Sequence, residues 1–384
     1  MMGQSRRTVL ASLFTPAVVC VALAACGGSD SPTPAPTPAP TPAPTPTPTP
    51  TPPPPAVASN CASLHSGTYR VIEPSFGAAS QSETITIDAA TLQVTEPGGG
   101  GTLVPNGECR YTDTSSDVVV SSAGFIVSRS FNDDLQQFRV AIAFPEQTLT
   151  VADLAGTWNM LGAHVVSGNS ASTALYGAVA GTITVSSTGA VSGQVCDNIT
   201  ACSDITDVIN VSSNAAGGFD VVNTSDPSTS HLFAYRAPTG DVSMVNVDND
   251  GSIAVFTKQR TIGVSPVGGK SDSWGTWMNT SFNSTNEVSE NSYTTQSSDA
   301  AAGTWTRTSD TDGHAETLTA NSPRNGYLHR PEGTAVTTGG ATVPVREFTG
   351  LGLAGMGATV LWIPTIGQPT ALGALFFSVA KPQP

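Results

Sequence analysis

The sequence predicts an all-β protein made of two or three small antiparallel β-barrel or β-sandwich modules, set behind a disordered tether. Period-two alternation recurs in runs such as Glu83-Thr84-Ile85-Thr86-Ile87 and Thr182-Ile183-Thr184-Val185, the spacing that puts alternate side chains on one sheet face. Turn signals separate such runs, notably Asp248-Asn249-Asp250-Gly251 and Asp310-Thr311-Asp312-Gly313, residues that tolerate positive φ. Charged residues make up only 11% of the chain, with Ser, Thr, Asn and Gly in their place, and helical periodicity beyond two turns is hard to find, a composition that favours strands. Ala152 to Leu154 predicts a short helical turn and no more.

The chain opens with Arg6 and Arg7, an apolar segment from Val9 to Ala22 interrupted by Pro16, and small residues. These are the parts of an export signal, too short to span a bilayer. The stretch Leu23-Ala24-Ala25-Cys26 resembles the box of bacterial lipoprotein signals, which is cut before the cysteine. The resemblance implies a signal peptide over 1–25 and a lipidated Cys26 at the start of the mature chain, bound to the membrane through its acyl chains. Gly27 and Gly28 follow where an aspartate would retain such a protein in the inner membrane, so the resemblance implies the outer membrane. Ser5-Arg6-Arg7-Thr8-Val9-Leu10 also resembles a twin-arginine signal; an ordinary positive region accounts for the two arginines, and valine stands where that family prefers phenylalanine.

Residues 26–57 form the predicted linker. From Ser31 to Pro55 nearly every residue is Pro, Thr or Ala, which imposes an extended polyproline II spacer that cannot collapse into a core.

Beyond it, Gly-Thr followed by Tyr or Trp recurs at 67–69, 156–158, 275–277 and 303–305, and charge-poor apolar runs recur at 138–144, 252–256 and 373–380. Together they divide the body into modules at 58–148, 149–264 and 270–384, with a two-domain division as the rival.

Removal of the signal leaves 13 basic against 29 acidic residues, with only three lysines, and no basic cluster interleaved with aromatics. Nucleic acid is therefore not an expected partner. Cys20 leaves with the signal and Cys26 is acylated, so Cys61, Cys109, Cys196 and Cys202 remain. An even number in an oxidising compartment predicts two disulfides. Three pairings are possible, and Cys61 with Cys109 and Cys196 with Cys202 is preferred because each pair falls inside one module.

Leu154-Ala155-Gly156-Thr157-Trp158-Asn159-Met160-Leu161-Gly162 resembles the first strand of lipocalin-like and avidin-like barrels, in which the tryptophan plugs the closed end, often under a basic residue of the last strand. The resemblance points to Arg260 as that residue, and to Arg139 in the same relation to Tyr69. No ligand-contacting residue of those families carries over to this chain; the expectation drawn here is a small-ligand carrier whose barrel mouth binds an apolar molecule, with Trp158, Trp277 or Trp305 lining or sealing it. The alternative is an adhesion or envelope-structural module whose filled cores present loops to a macromolecule.

Other motifs read as structure. Asn246-x-Asp248-x-Asp250-Gly251 matches the front of a calcium loop, but Thr257 falls where the bidentate glutamate belongs and strands flank it, so a turn is expected. Gly350-Leu351-Gly352-Leu353-Ala354-Gly355 has the letters of a dinucleotide fingerprint without the helix that must follow; its glycines suit close packing, with a buried hairpin of 359–363 against 375–380. No nucleophile elbow, metal-ligand spacing or acid-base pair stands out among the five histidines and the scattered carboxylates. No catalytic residue, metal or cofactor is assigned, and the chain is not read as an enzyme.

Overall fold

The computed structural model describes residues 60–74, 81–112, 116–132, 137–167, 175–278, 288–364 and 372–382. The expected signal, Cys26 and the expected linker lie outside the described residues. The body is all-β, and its modules are barrels rather than sandwiches: two closed eight-strand barrels and a third sheet that nearly closes.

The first sheet runs over nine strands from Gly67–Glu73 to Gln137–Pro145, which pair with each other at its centre. Its two edges, Gly99–Thr102 and Val104–Pro105, are consecutive in the chain. The Cys61–Cys109 disulfide, with Cα atoms 4.5 Å apart, fastens the segment before its first strand to this edge region.

The second sheet is an up-and-down meander. Gly156–Ser167, Leu175–Val185, Ala190–Asp197, Ile209–Ser213, Phe219–Asn223, Asp226–Arg236, Val242–Val247 and Ile253–Lys258 follow one another around the barrel, and the last pairs with the first. Ala201–Asp204 adds to the third of these as an outer flap, where the Cys196–Cys202 disulfide joins directly opposed residues. Both disulfides thus form in the pairing that the sequence preferred.

The third sheet repeats this plan with Lys270–Trp277, Ser289–Asp299, Thr304–Ser309, Ala315–Ala320, Tyr327–Arg330, Phe348–Leu353, Ala358–Pro364 and Gly373–Ala380. A small hairpin, Gly333–Val336 with Thr342–Val345, leaves the ring between the fifth and sixth strands. The hairpins expected around 182–195, 248–251, 310–313 and 359–380 are all present.

Period-two alternation distributes the apolar residues over both faces of these sheets, with an unusual result. The largest buried cluster joins the outward faces of the two barrels to the first sheet. It brings together Leu161, Ala180, Tyr235 and Val255 of the second sheet, Leu353, Val360 and Phe377 of the third, and Phe125 and Ile142 of the first. Polar contacts pin this seam. The buried Tyr327 hydroxyl of the third barrel lies 2.5 Å from Met160 O and 2.9 Å from Gly181 O in the second, and accepts Gly181 N–H at 3.3 Å. Ser121 Oγ of the first sheet donates to Met356 O at 2.6 Å. Arg70 clasps Glu146 bidentately at 2.8 and 2.9 Å and reaches Ala216 O of the second sheet at 3.2 Å.

Candidate functional site

The second barrel is closed at one end and hollow toward the other. Its closed end begins at the 3-10 helix Val151–Leu154, where Thr150 and Asp153 form a capping box that satisfies backbone groups a short helix would leave open. Gly156 follows with φ of 136°, a conformation that favours glycine, and a Cβ there would stand 2.6 Å from Lys258 Nζ. This turn delivers Trp158 into the barrel, where it is fully buried and its indole Nε1 donates to Leu154 O at 2.8 Å. Lys258, directly opposite Trp158 on the last strand, lays its ammonium 4.3 Å over the indole ring and donates to Ala155 O. Burial lowers the lysine pKa, and Arg236 nearby adds to that shift.

The sequence placed a basic residue over the tryptophan but chose Arg260; Lys258 holds the position. Arg260 lies past the end of the strand and pairs with Asp241 at 3.3 Å. Two residues apart, Lys258 and Arg260 would share a strand face, but the strand ends at Lys258, which is the residue paired with Trp158. The Arg139 side chain lies outside the described residues, and Tyr69 uses its hydroxyl to donate to His65 O at 2.9 Å.

Above the plug the lumen is aliphatic. A cavity of about 310 Å³ is walled by residues including Val179, Ile183, Val191, Val195, Val211 and Leu232. Its rim carries polar groups: His164, Asn223, Ser230, Asn246, Asp248 and Ser252. Ser230 Oγ donates to Asn246 Oδ1 at 3.1 Å, and Asn246 Nδ2 approaches Asp248 Oδ1 at 3.4 Å. Burial raises the Asp248 pKa above the usual carboxylate value, Asp250 reinforces that rise, and hydrogen bonds from Ser230 and Asn246 oppose it. The Asp248-to-Gly251 segment is the tight turn that the sequence suggested: Gly251 N–H donates to Asp248 O at 3.0 Å with Gly251 at φ 89°. Gly177, paired with His164, leaves room for its ring: a Cβ there would come within 2.5 Å of it and push the side chain aside.

An aliphatic cup with a few convergent polar groups at the mouth is suited to an elongated or ring-shaped apolar molecule with one hydrogen-bonding end. The tryptophans singled out from the sequence do not share this cup. Trp158 is buried at the closed end of the same barrel without lining the cavity, whose walls there include Met160 and Phe256, whereas Trp277 and Trp305 sit in the third barrel. There Trp277 meets Phe376 edge-on with ring centroids 5.2 Å apart. The wall residues went unnoticed in the sequence, although Val191 and Val195 alternate inward along one strand. Their signal resembles that of any half-buried strand, and only barrel closure shows that they face a void.

No protein-family model and no curated protein matches the chain. Among solved structures, it is similar to a double mutant of the vaccine antigen transferrin-binding protein B from Haemophilus parasuis Hp5, with 10% identity, 85% of this chain and 78% of that one covered, and a TM-score of 0.21. It is also similar to isotype 1 transferrin-binding protein B from serogroup B Neisseria meningitidis, with 12% identity, 84% and 100% coverage, and a TM-score of 0.20. At that level of superposition nothing about those proteins' activity transfers to this chain.

Proposed function

We propose that this protein is a lipid-anchored binding protein of the outer membrane that holds a small apolar ligand in its second barrel. The observation that carries the reading is the aliphatic cavity of about 310 Å³ with its polar rim, a size at the lower end of the roughly 300–1,000 Å³ usual for ligand pockets. A filled lumen would instead have favoured a purely adhesive or structural module. The Leu23-Ala24-Ala25-Cys26 box and the proline-rich stretch after it support the anchor and a stand-off spacer.

The test uses the neutral probe N-phenylnaphthylamine with the full mature chain. Its fluorescence should rise saturably at one probe per chain. Val195→Phe and Val211→Phe, which fill the cavity, should abolish the rise while leaving the melting temperature within a few degrees. The absence of a saturable rise, or an equal rise in folded variants, rules this reading out. Mass spectrometry of the native protein, showing an acylated Cys26, tests the anchor separately.

A further inference from the structure

The lumen of the third barrel differs in kind, because its buried charges do not balance. Glu316 has no exposed side-chain surface, and guanidinium groups take both of its oxygens. Arg307 Nε donates to Oε1 at 2.6 Å, and Arg330 Nη1 pairs with Oε2. Arg307 also lies 3.9 Å over the Tyr293 ring and Arg330 lies 4.4 Å over Phe348, while Arg330 Nε donates to Arg346 O at 2.8 Å. One carboxylate thus serves two arginines that are only 19% and 15% exposed. A buried surplus charge is costly unless a partner compensates it, and low-dielectric walls focus its field into the enclosed space.

Two hollows, of about 470 and 660 Å³, meet at Arg307, which lines both. Arg346 stands at the outer mouth of the smaller one. The larger is bordered by Arg260 and by Lys258, Lys270 and Lys381, which are all the lysines the chain has. Six of the fifteen basic residues of the sequence therefore line this lumen and its two ends, and Lys258 borders the larger hollow from the second barrel, where its ammonium lies over Trp158. Among the described residues, five carboxylates line it or pair with those bases: Glu316, Asp312, Asp272, Glu290 and Asp241. In a chain with 29 acidic residues against 15 basic, the lumen reverses the sign of the whole molecule.

We infer that the third-barrel lumen is a binding site for a small anion bearing carboxylate or phosphate oxygens, seated against Arg307 and Arg330. Guanidinium groups present paired donors in a plane that matches both oxygen geometries. The two stacked aromatic rings hold those planes in place, and the acidic exterior leaves the base-lined ends as the favourable approaches. This site is independent of the apolar cup in the second barrel.

Calorimetric titration and thermal melting of the full mature chain test it, with citrate as the carboxylate probe, pyrophosphate as the phosphate probe and sodium chloride matched for ionic strength. Saturable binding and a melting temperature raised by several degrees are expected for at least one probe and not for chloride, and the stronger of the two identifies the oxygen chemistry. Arg330→Gln leaves a balanced Arg307–Glu316 pair, so the barrel should fold and lose at least tenfold in affinity. Arg346→Ala, at an exposed position, should cost a few-fold and also serves if Arg330→Gln fails to fold. Neither probe exceeding chloride would overturn the inference, and so would unchanged affinity in the folded variants.

Discussion

The second and third barrels share one plan, eight strands in chain order with the last paired to the first, yet their interiors are nearly opposites. One is plugged at its closed end by the buried Trp158 and walled by valine, isoleucine and leucine; the other encloses an Arg-Glu-Arg cluster among serines and aromatic rings. The contrast shows that one barrel plan does not dictate one kind of interior. The most extensive apolar burial lies on their outer walls, in the seam they share with the first sheet. In the second barrel the interior adds a separate apolar core of its own, whereas in the third it is largely polar.

The sharpest way to break the contrast is to make the third interior apolar. Removing Glu316 alone, as Glu316→Ala, should cost about 3–5 kcal/mol in chemical denaturation, because two arginines lose their carboxylate. Replacing all three together, with Arg307→Met, Glu316→Leu and Arg330→Met, should be neutral or stabilising by about 1–4 kcal/mol. A triple variant as unstable as the single one would show that the lumen holds the barrel together. On the other side, Trp158→Ala should cost about 3–5 kcal/mol by opening the closed end of the second barrel, measured by the same denaturation. A loss under about 1 kcal/mol would mean that the plug contributes little.

The first sheet supplies a smaller, pH-dependent effect. Glu96 is 9% exposed and its pKa is pushed up to about 7 by burial, with the Glu83 carboxylate adding to the rise. A carboxyl group whose folded pKa is raised holds its proton more tightly when folded, so its favourable contribution is present below about pH 4.5 and lost as pH rises to about 7. Stability should fall across that window by on the order of 1–2 kcal/mol after allowance for solvent screening. Glu96→Gln should flatten that part of the profile; an unchanged slope would assign it elsewhere. The smallest expected effect is at the tryptophan lid: Lys258→Met should cost about 0.5–1 kcal/mol for the lost cation–π contact, and a Lys258→Arg variant should recover most of it.

The all-β class, the hairpins and both disulfides were legible in the sequence because each rests on local signals: alternation, Asx-Gly turns, and cysteines close in the chain or within one module. The Trp158 plug was legible too, through its glycine and its neighbours. Its basic cover was misplaced by two residues, since the end of the last strand and the pairing of Trp158 with Lys258 are set by long-range register that no local signal carries. The charged cluster of the third barrel was invisible for a stronger reason. Arg307, Glu316 and Arg330 sit on three strands and look like ordinary surface residues until the ring closes around them. The three lysines are likewise far apart in the chain and meet only at one end of that ring.

The seam also bears on how such a chain can be taken apart. Leu161 and Ala180 would face water if the second barrel were isolated, and Val360 and Phe377 if the third were, so a single excised barrel should be sticky and prone to self-association even with its ring intact. Loss or exchange of one unit by recombination would leave the others with an uncovered greasy wall, which binds the three into one heritable block.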